Sequence, residues 1–266
     1  MNNLSISLIQ TDLHWEQKEE NLKLFTQLFT QVPQESQVIV LPEMFSTGFS
    51  MQAQKLAEPM DGPTVSWMKT QAALTRKIIT GSLIIEAEGK YYNRLIWMQP
   101  NGIAHYYDKK HLFGFAGEQE AYTAGEKRVI VQVNGWKINL QVCYDLRFPV
   151  WARQNPKTSA EDDTPSYDIL LYVANWPERR IEAWDTLLRA RAIENQSFVI
   201  GVNRIGKDGN DIYHNGSSAL IDPWGKVLWN DTDKEAIFTY TFKEENLNEA
   251  RARLPFLRDR DSFVLL

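Results

Sequence analysis

Cysteine is almost missing from this chain: Cys143 is the sole thiol in 266 residues. One cysteine excludes an internal disulfide and a multi-thiolate zinc site. Histidine is nearly as scarce, and His14, His105, His111 and His214 fall at no metal-ligand spacing. No thiolate or histidine metal site is therefore expected, and the cysteine chemistry read below needs no metal or organic cofactor. No apolar run approaches the roughly 18 residues that a membrane span needs. Charge of one sign is not in excess either: 29 basic residues face 34 acidic ones, for a net −5. That balance leaves no basic footprint for nucleic acid and no basic amphipathic segment for a membrane surface. The phosphate-binding patterns G-x-G-x-x-G and G-x-x-x-x-G-K-[ST] do not occur, nor does the G-x-S-x-G of serine hydrolases. The opening MNNLSISLIQTDL has no charged region ahead of an apolar stretch, so no signal peptide is expected. A cytoplasmic enzyme or binding protein is the expectation.

What is present is ample core material, with 43% hydrophobic and 12% aromatic residues. Short apolar strands alternate with helical patterns. ISLIQ (6–10) reads as a buried strand, and residues 17–31 place Leu22, Phe25, Leu28 and Phe29 on one helical face. VIVLPEMF (38–45), a helix over 63–76, and the strands IITGSLIIE and YNRLIWMQPNG complete a first half. The pattern recurs in KINLQVCYD, DILLYVANW (168–176), a helix over 182–196, SFVIGVNRIG and SSALIDPWGKVLW. The alternation predicts βαβ units with mostly parallel strands. Continuously apolar strands such as VIVL and ILLYV are covered on both faces. Two such halves can stack as a four-layer αββα sandwich, with two side-by-side Rossmann-like domains as the competing arrangement. No Gly/Ser/Pro-rich linker separates the halves. The one loop-like insert, NPKTSAEDDTPS (155–166), lies inside the second half. The expectation is an α/β chain with one domain over 1–266, its sandwich spanning about 1–242 and a C-terminal tail covering 243–266.

Ligands of parallel sheets collect at the carboxyl ends of strands. VIVLP ends at Glu43, KINLQV at Cys143, DILLYVAN at Asn175 and Trp176, and SFVIGVNR at Asn203 and Arg204. A carboxylate and a thiol thus fall at equivalent points of the two halves. Glu43 stands among Leu41, Pro42, Met44 and Phe45, where desolvation would make it a stronger base. A lone cysteine is more often a small buried hydrophobe, and a Glu after Pro can simply end a strand at the surface. The stretch YYDKKHLFGFAGEQEAYTAGE (106–126) could be a solvated loop. It has no amphipathic period, however, and is too long and aromatic for a plain connection. With no histidine at an obvious strand end, Glu43, Lys110 and Cys143 form the best constellation.

At these three places the sequence resembles the nitrilase superfamily of carbon–nitrogen hydrolases. LPEMF resembles the segment of the family's glutamate base (Glu43), YDKKHLF that of its lysine (assigned to Lys110), and VCYDLRFP that of its nucleophile (Cys143). ANWP, RARAIENQSFVIGVNR and the DPWG turn fit as well, so the likeness covers roughly residues 4–242. LPEMFSTGF, CYDLRFP, the KHLF loop and the ending RARLPFLRDRDSF look like the omega-amidase branch. The resemblance implies hydrolysis of the terminal amide of 2-oxoglutaramate or 2-oxosuccinamate through a cysteine thioester, in a homodimer. It also implies a second loop glutamate, with Glu118 preferred by spacing and Glu120 the fallback. Tyr144, Trp176, Arg147 and Phe45 are the expected substrate contacts. Arg147 either binds substrate or pairs with Asp145 or another acid to hold its loop, the second being preferred. Arg94 and Arg204 are further candidates for a substrate carboxylate. Two other readings stay open: a different amidase acting on carbamoyl or aliphatic amides, and a catalytically silent binding or redox-sensing protein.

Overall fold

In chain order the strands are β1 (Leu4–Gln10), β2 (Val38–Val40), β3 (Ile78–Ala87), β4 (Lys90–Met98), β5 (Ala104–Asp108), β6 (Ile130–Val133), β7 (Trp136–Val142), β8 (Ile169–Val173), β9 (Phe198–Val202), β10 (Ile205–Lys207), β11 (Tyr213–Ile221), β12 (Val227–Thr232) and β13 (Ala236–Phe242). The helices are α1 (Lys18–Phe29), α2 (Ala53–Leu56), α3 (Pro63–Thr75), α4 (Glu118–Ala121), α5 (Pro149–Ala152), α6 (Ile181–Asn195) and α7 (Glu244–Arg253). The computed structural model describes residues 1–154, 165–261 and 263–264. Most of the polar insert at 155–166 therefore lies outside the described residues.

The strands form two sheets. One runs β13-β1-β2-β3-β4-β5, and the other β10-β11-β9-β8-β7-β6 with β12 on β11. Both central strands, β2 and β8, are buried along their whole length, as continuously apolar sequence requires. The inner faces meet in one core. Leu4, Ile6, Val38, Val40 and Trp97 of the first sheet share it with Ile138, Leu140, Val142, Leu171 and Ile200 of the second. Helices cover the outer faces. On the first sheet, Phe25 and Phe29 of α1 and Val65, Met68 and Ala72 of α3 pack at helical spacing against Ile39, Ile79 and Ile96. Pro63 opens α3 and Arg76, in the left-handed region at φ 56°, closes it. On the second sheet, Trp184, Leu188 and Ala192 of α6 pack on Leu170, Tyr172 and Val199. This is the expected αββα order of layers.

Two expectations need correction. The strands are not mostly parallel. Parallel pairing is confined to β1-β2-β3 and β7-β8-β9, while β3-β4, β4-β5, β6-β7, β9-β11, β10-β11, β11-β12 and β1-β13 pair antiparallel. The short connections 88–89 and 134–135 leave room only for hairpins, which the βαβ reading overlooked. The segment after residue 242 also contributes to the core: Leu247 of α7 is fully buried between the sheets. Arg251 further holds α7 against the second half through Asp168 Oδ1 (2.8 Å) and the carbonyls of Tyr167 and Gln196.

Candidate active site

The carboxyl ends of β2, β7 and β8 converge, and tight turns follow the first two. Glu43 leaves β2 immediately before Met44, whose φ is 44°, and Cys143 itself has φ 43°. Residues other than glycine rarely adopt this left-handed region, and such strain persists where surrounding structure holds it. At Cys143 the holding group is Asp145, on the short 3₁₀ turn Cys143–Arg147. Its carboxylate accepts from Val142 N (3.0 Å), Tyr107 OH (2.7 Å), and both the backbone N (3.0 Å) and Nδ1 (2.8 Å) of His111. One buried carboxylate therefore ties the thiol's turn to the end of β5 and the residues that follow it.

Lys109 follows β5. Its ammonium is fully buried and donates to Glu118 Oε1 (2.9 Å), Glu118 Oε2 (2.8 Å) and Glu43 Oε1 (3.0 Å). Asn93, on neighbouring β4, donates to Glu43 Oε1 at 2.8 Å, and Asn175 N donates to Glu43 Oε2 at 2.8 Å. Glu118 also receives the backbone N–H of Phe113. The loop returns on Gly125, whose N–H donates to Lys109 O at 2.8 Å. A Cβ on Gly125 would stand 2.1 Å from Asp108 O, so only glycine lets the chain close on this strand end.

The electrostatics follow from this packing. Burial opposes the Lys109 ammonium, but Glu118, Glu43 and Cys143 outweigh it and the pKa rises. Burial raises the Glu118 carboxyl, with Lys109 pulling the other way and Glu43 adding to the rise. Burial, then the charge of Glu43, pushes the Cys143 thiol well above its ordinary value, and Lys109 opposes that push. The thiol and the Glu43 carboxylate are therefore close enough to be electrostatically coupled. At rest the arrangement holds a protonated thiol beside an acceptor for its proton. The cysteine opens into a cavity of about 540 Å³ lined by Trp15, Phe49, Phe113, Tyr144, Trp176 and Arg147, among others.

The structure brings Glu43, Glu118 and Cys143 together, and Cys143, Tyr144, Trp176 and Arg147 line the cavity. Lys110 does not join them. Its ammonium sits 5.5 Å from the Trp151 ring on a separate surface groove. Strand alternation is the reason. Tyr107 faces inward, so Lys109 shares its side of the strand and Lys110 points the other way. Glu120 is exposed outside this cluster. Phe45 is not a substrate contact but a core residue, with its ring edge-on to Phe25 at 5.4 Å. Gly81 makes that packing possible, since a Cβ there would lie 2.8 Å from the Phe45 ring. Phe49, four residues on, lines the cavity instead.

Asp145 is fully engaged without Arg147, whose guanidinium lies 5.0 Å over Trp176. Among the described residues Arg147 forms no ion pair, so the preferred pairing with an acid is not found there. Arg94 forms a bidentate pair with Asp108 (2.6 and 2.9 Å), and Arg204 is held by Asp12 and three backbone carbonyls, so both are occupied elsewhere. Asn93, Arg179 and Arg180 had no motif to announce them. Among the described residues no group of three or more His, Cys, Asp or Glu is placed to hold a metal ion.

Residues 5–252 match the family model for carbon–nitrogen hydrolases. The chain belongs to this family. The hydrolase is 40% identical over its full length to the omega-amidase YafV of Escherichia coli K12, which it also covers completely. It is 31% identical to the 2-oxoglutaramate amidase of Bacillus subtilis over 258 residues, 96% of each chain. Among solved structures, XC1258 of Xanthomonas campestris, a CN-hydrolase superfamily protein with an arsenic adduct in its active site, superposes with a TM-score of 0.95. It is 46% identical, with both chains fully covered. A carbon–nitrogen hydrolase from Helicobacter pylori, 23% identical with a TM-score of 0.84 over 97% of this chain and 95% of that one, shares the fold.

Proposed function

We propose that this hydrolase is an omega-amidase that uses Cys143 as nucleophile, Glu43 as general base and acid, and Lys109 as the cation facing the oxyanion. The observation that carries the proposal is the buried Glu43–Lys109–Glu118 cluster set against the sole cysteine at the floor of the cavity. The omega-amidase assignment within the family rests on the likeness to the E. coli and B. subtilis enzymes.

The steps follow from the positions. Glu43 removes the thiol proton as sulfur bonds to the amide carbon, because the thiolate is the attacking form. Charge moves onto the carbonyl oxygen, where the Lys109 ammonium and the backbone N–H of Tyr144 receive it. Each such preorganised donor is typically worth about 3 kcal/mol of barrier. Glu43 passes its proton to the amide nitrogen, the C–N bond breaks and ammonia leaves. Water then attacks the thioester while Glu43 takes its proton. The C–S bond breaks and the thiol is restored as the acid departs. Glu118 acts through Lys109, anchoring the ammonium with both its oxygens. A homodimer belongs to the same proposal and is checked by light scattering.

The deciding experiment is ammonia release from 2-oxoglutaramate and 2-oxosuccinamate against propionamide, with Cys143→Ala as blank. Strong preference for the 2-oxo amides supports the assignment. Equal kcat/KM for a neutral amide would replace it with a general aliphatic amidase.

A further inference from the structure

Three arginines line the cavity: Arg147, Arg179 and Arg180. None of them forms an ion pair among the described residues. Arg179 is exposed and water can solvate it, but Arg147 and Arg180 are half-buried. A guanidinium withdrawn from water without a partner is costly, and charges are rarely kept that way. The two acidic groups in the same wall are already used. Glu16 takes Ser50 Oγ at 2.6 Å and Lys55 Nζ at 3.4 Å, while Asp208 accepts the backbone N–H groups of Asn210 (2.8 Å) and Ile212 (3.0 Å).

Both half-buried guanidiniums lie by aromatic faces: Arg147 Cζ is 5.0 Å from the Trp176 ring centre, and Arg180 Cζ is 5.0 Å from that of Phe113. Such stacking uses the flat face of the group and leaves its edge N–H donors available in plane. Burial, together with repulsion from Arg179 and Arg147, lowers the pKa of Arg180, while the charge of Cys143 raises it. The guanidinium is therefore within electrostatic reach of the reacting sulfur. The carriers are the turns that follow β7 and β8, the Cys143–Arg147 turn and the Glu178–Arg180 turn. Glu43, Asn93, Lys109 and Glu118, which surround the amide chemistry, all come from the first half.

We infer that Arg147 and Arg180 form a two-sided clamp for the end of the substrate remote from the amide, and that its ligand is a carboxylate with a neighbouring oxygen acceptor, as in a 2-oxo acid. A carboxylate takes one planar fork in bidentate fashion, and the adjacent carbonyl oxygen accepts from the second arginine. Arg179 adds long-range attraction at the rim. The inference rests on the omega-amidase reading and names the groups that would give it specificity.

The test is binding, read without turnover: protection of Cys143 against alkylation by iodoacetamide. In the wild type, 2-oxoglutarate is expected to protect about tenfold more effectively than glutarate, which lacks the 2-oxo group, and glutaramide is expected not to protect. Arg147→Gln and Arg180→Gln should each raise the half-protecting concentration of 2-oxoglutarate about tenfold or more, and Arg180→Lys should recover only part of the loss, since lysine supplies charge without the fork. Circular dichroism of each variant controls for folding. Unchanged protection in both glutamine variants, or protection by glutaramide equal to that by 2-oxoglutarate, overturns the clamp. The two readings separate cleanly. If 2-oxo amides are hydrolysed but the variants keep full protection, the clamp fails alone. If 2-oxoglutarate protects through the arginines and no 2-oxo amide is turned over, the omega-amidase reading fails alone.

Discussion

The floor and the rim of the cavity are built on opposite terms. On the floor, Lys109 has two carboxylates, Glu43 has three donors, and water is excluded. At the rim, Arg147 and Arg180 rest on aromatic rings and form no ion pair among the described residues. A network with all its partners inside the protein is rigid and keeps its geometry whatever enters. Cations without an ion-pair partner among the described residues can take one from a ligand. On the proposed function, bond-making belongs to the floor and recognition to the rim, and the contrast predicts how substitutions in the two places should differ.

The largest effect should come from Cys143→Ala. Turnover should fall by about four powers of ten or more, because removal of a covalent nucleophile has consequences of that size. Retention of a tenth of the wild-type rate, in protein free of contaminating amidase, would remove Cys143 from the mechanism. The same thiol supplies a pH test in the wild type. Its raised pKa means that the protonated form is favoured, so the alkylation rate should keep climbing about tenfold per pH unit up to and beyond the ordinary thiol value of 9.0. A plateau below that value would mean that the thiolate is already present at rest.

Next in size is Lys109→Gln, expected to lower kcat by about three powers of ten, since it deletes oxyanion stabilisation. It also strands two buried carboxylates, so the melting temperature should drop. Glu118→Gln should be milder, at about 10–100-fold, because the side chain keeps its shape and one acceptor oxygen for Lys109 while losing its charge. A loss carried by KM with kcat unchanged would contradict its action through Lys109.

A buried histidine of the cavity wall gives the stability prediction. Burial, then the charge of Arg204, pulls His214 from 6.5 down to about 4. A histidine with a depressed folded pKa stays neutral in the native state. Its contribution is fully present above about pH 6.5 and is lost as pH falls toward 4, by at most about 3 kcal/mol. His214→Gln should flatten that limb of a denaturation-against-pH curve, and an unaltered limb would place the acid sensitivity elsewhere. The smallest effect belongs to Lys110→Gln. Activity should stay within about threefold of wild type, because this ammonium lies by Trp151 on a separate surface groove, away from Cys143. A loss comparable with that of Lys109→Gln would return the catalytic role to Lys110.

The two lysines show where sequence reading stopped. Motif likeness located the KK pair, but the choice between its members is a question of strand parity. The alternation that buries Tyr107 selects Lys109, and a shift of one residue exchanges inside for outside. The layers were legible because VIVL and ILLYV carry two-sided burial in their composition. Glu43 and Cys143 were legible because each interrupts an apolar strand with chemistry. Phe45 was misplaced for the same reason: proximity to Glu43 in sequence says nothing about which side of a turn a ring takes, and the gap that receives it comes from Gly81 on another strand. Asn93, Asp145, Arg179 and Arg180 depend on contacts between distant segments, such as the 38-residue separation of Tyr107 and Asp145. No local pattern encodes those contacts.

The pairing of β13 with β1 carries a consequence for the order of events in the cell. Residues 4–10 meet residues 236–242 in a continuous seven-residue register. During synthesis, β1 leaves the ribosome with β2 available on one flank, while its other edge waits for more than two hundred residues to be translated. At about 5–20 residues per second, that interval is on the order of ten seconds or longer. Throughout it, an apolar strand presents unsatisfied amide and carbonyl groups that any extended peptide could take up. The nascent first half is thus exposed to mispairing until the last strand arrives. A ribosome stalled ahead of residue 236 would release a chain that holds Glu43, Lys109 and Cys143 yet lacks the strand that closes the edge of its first sheet.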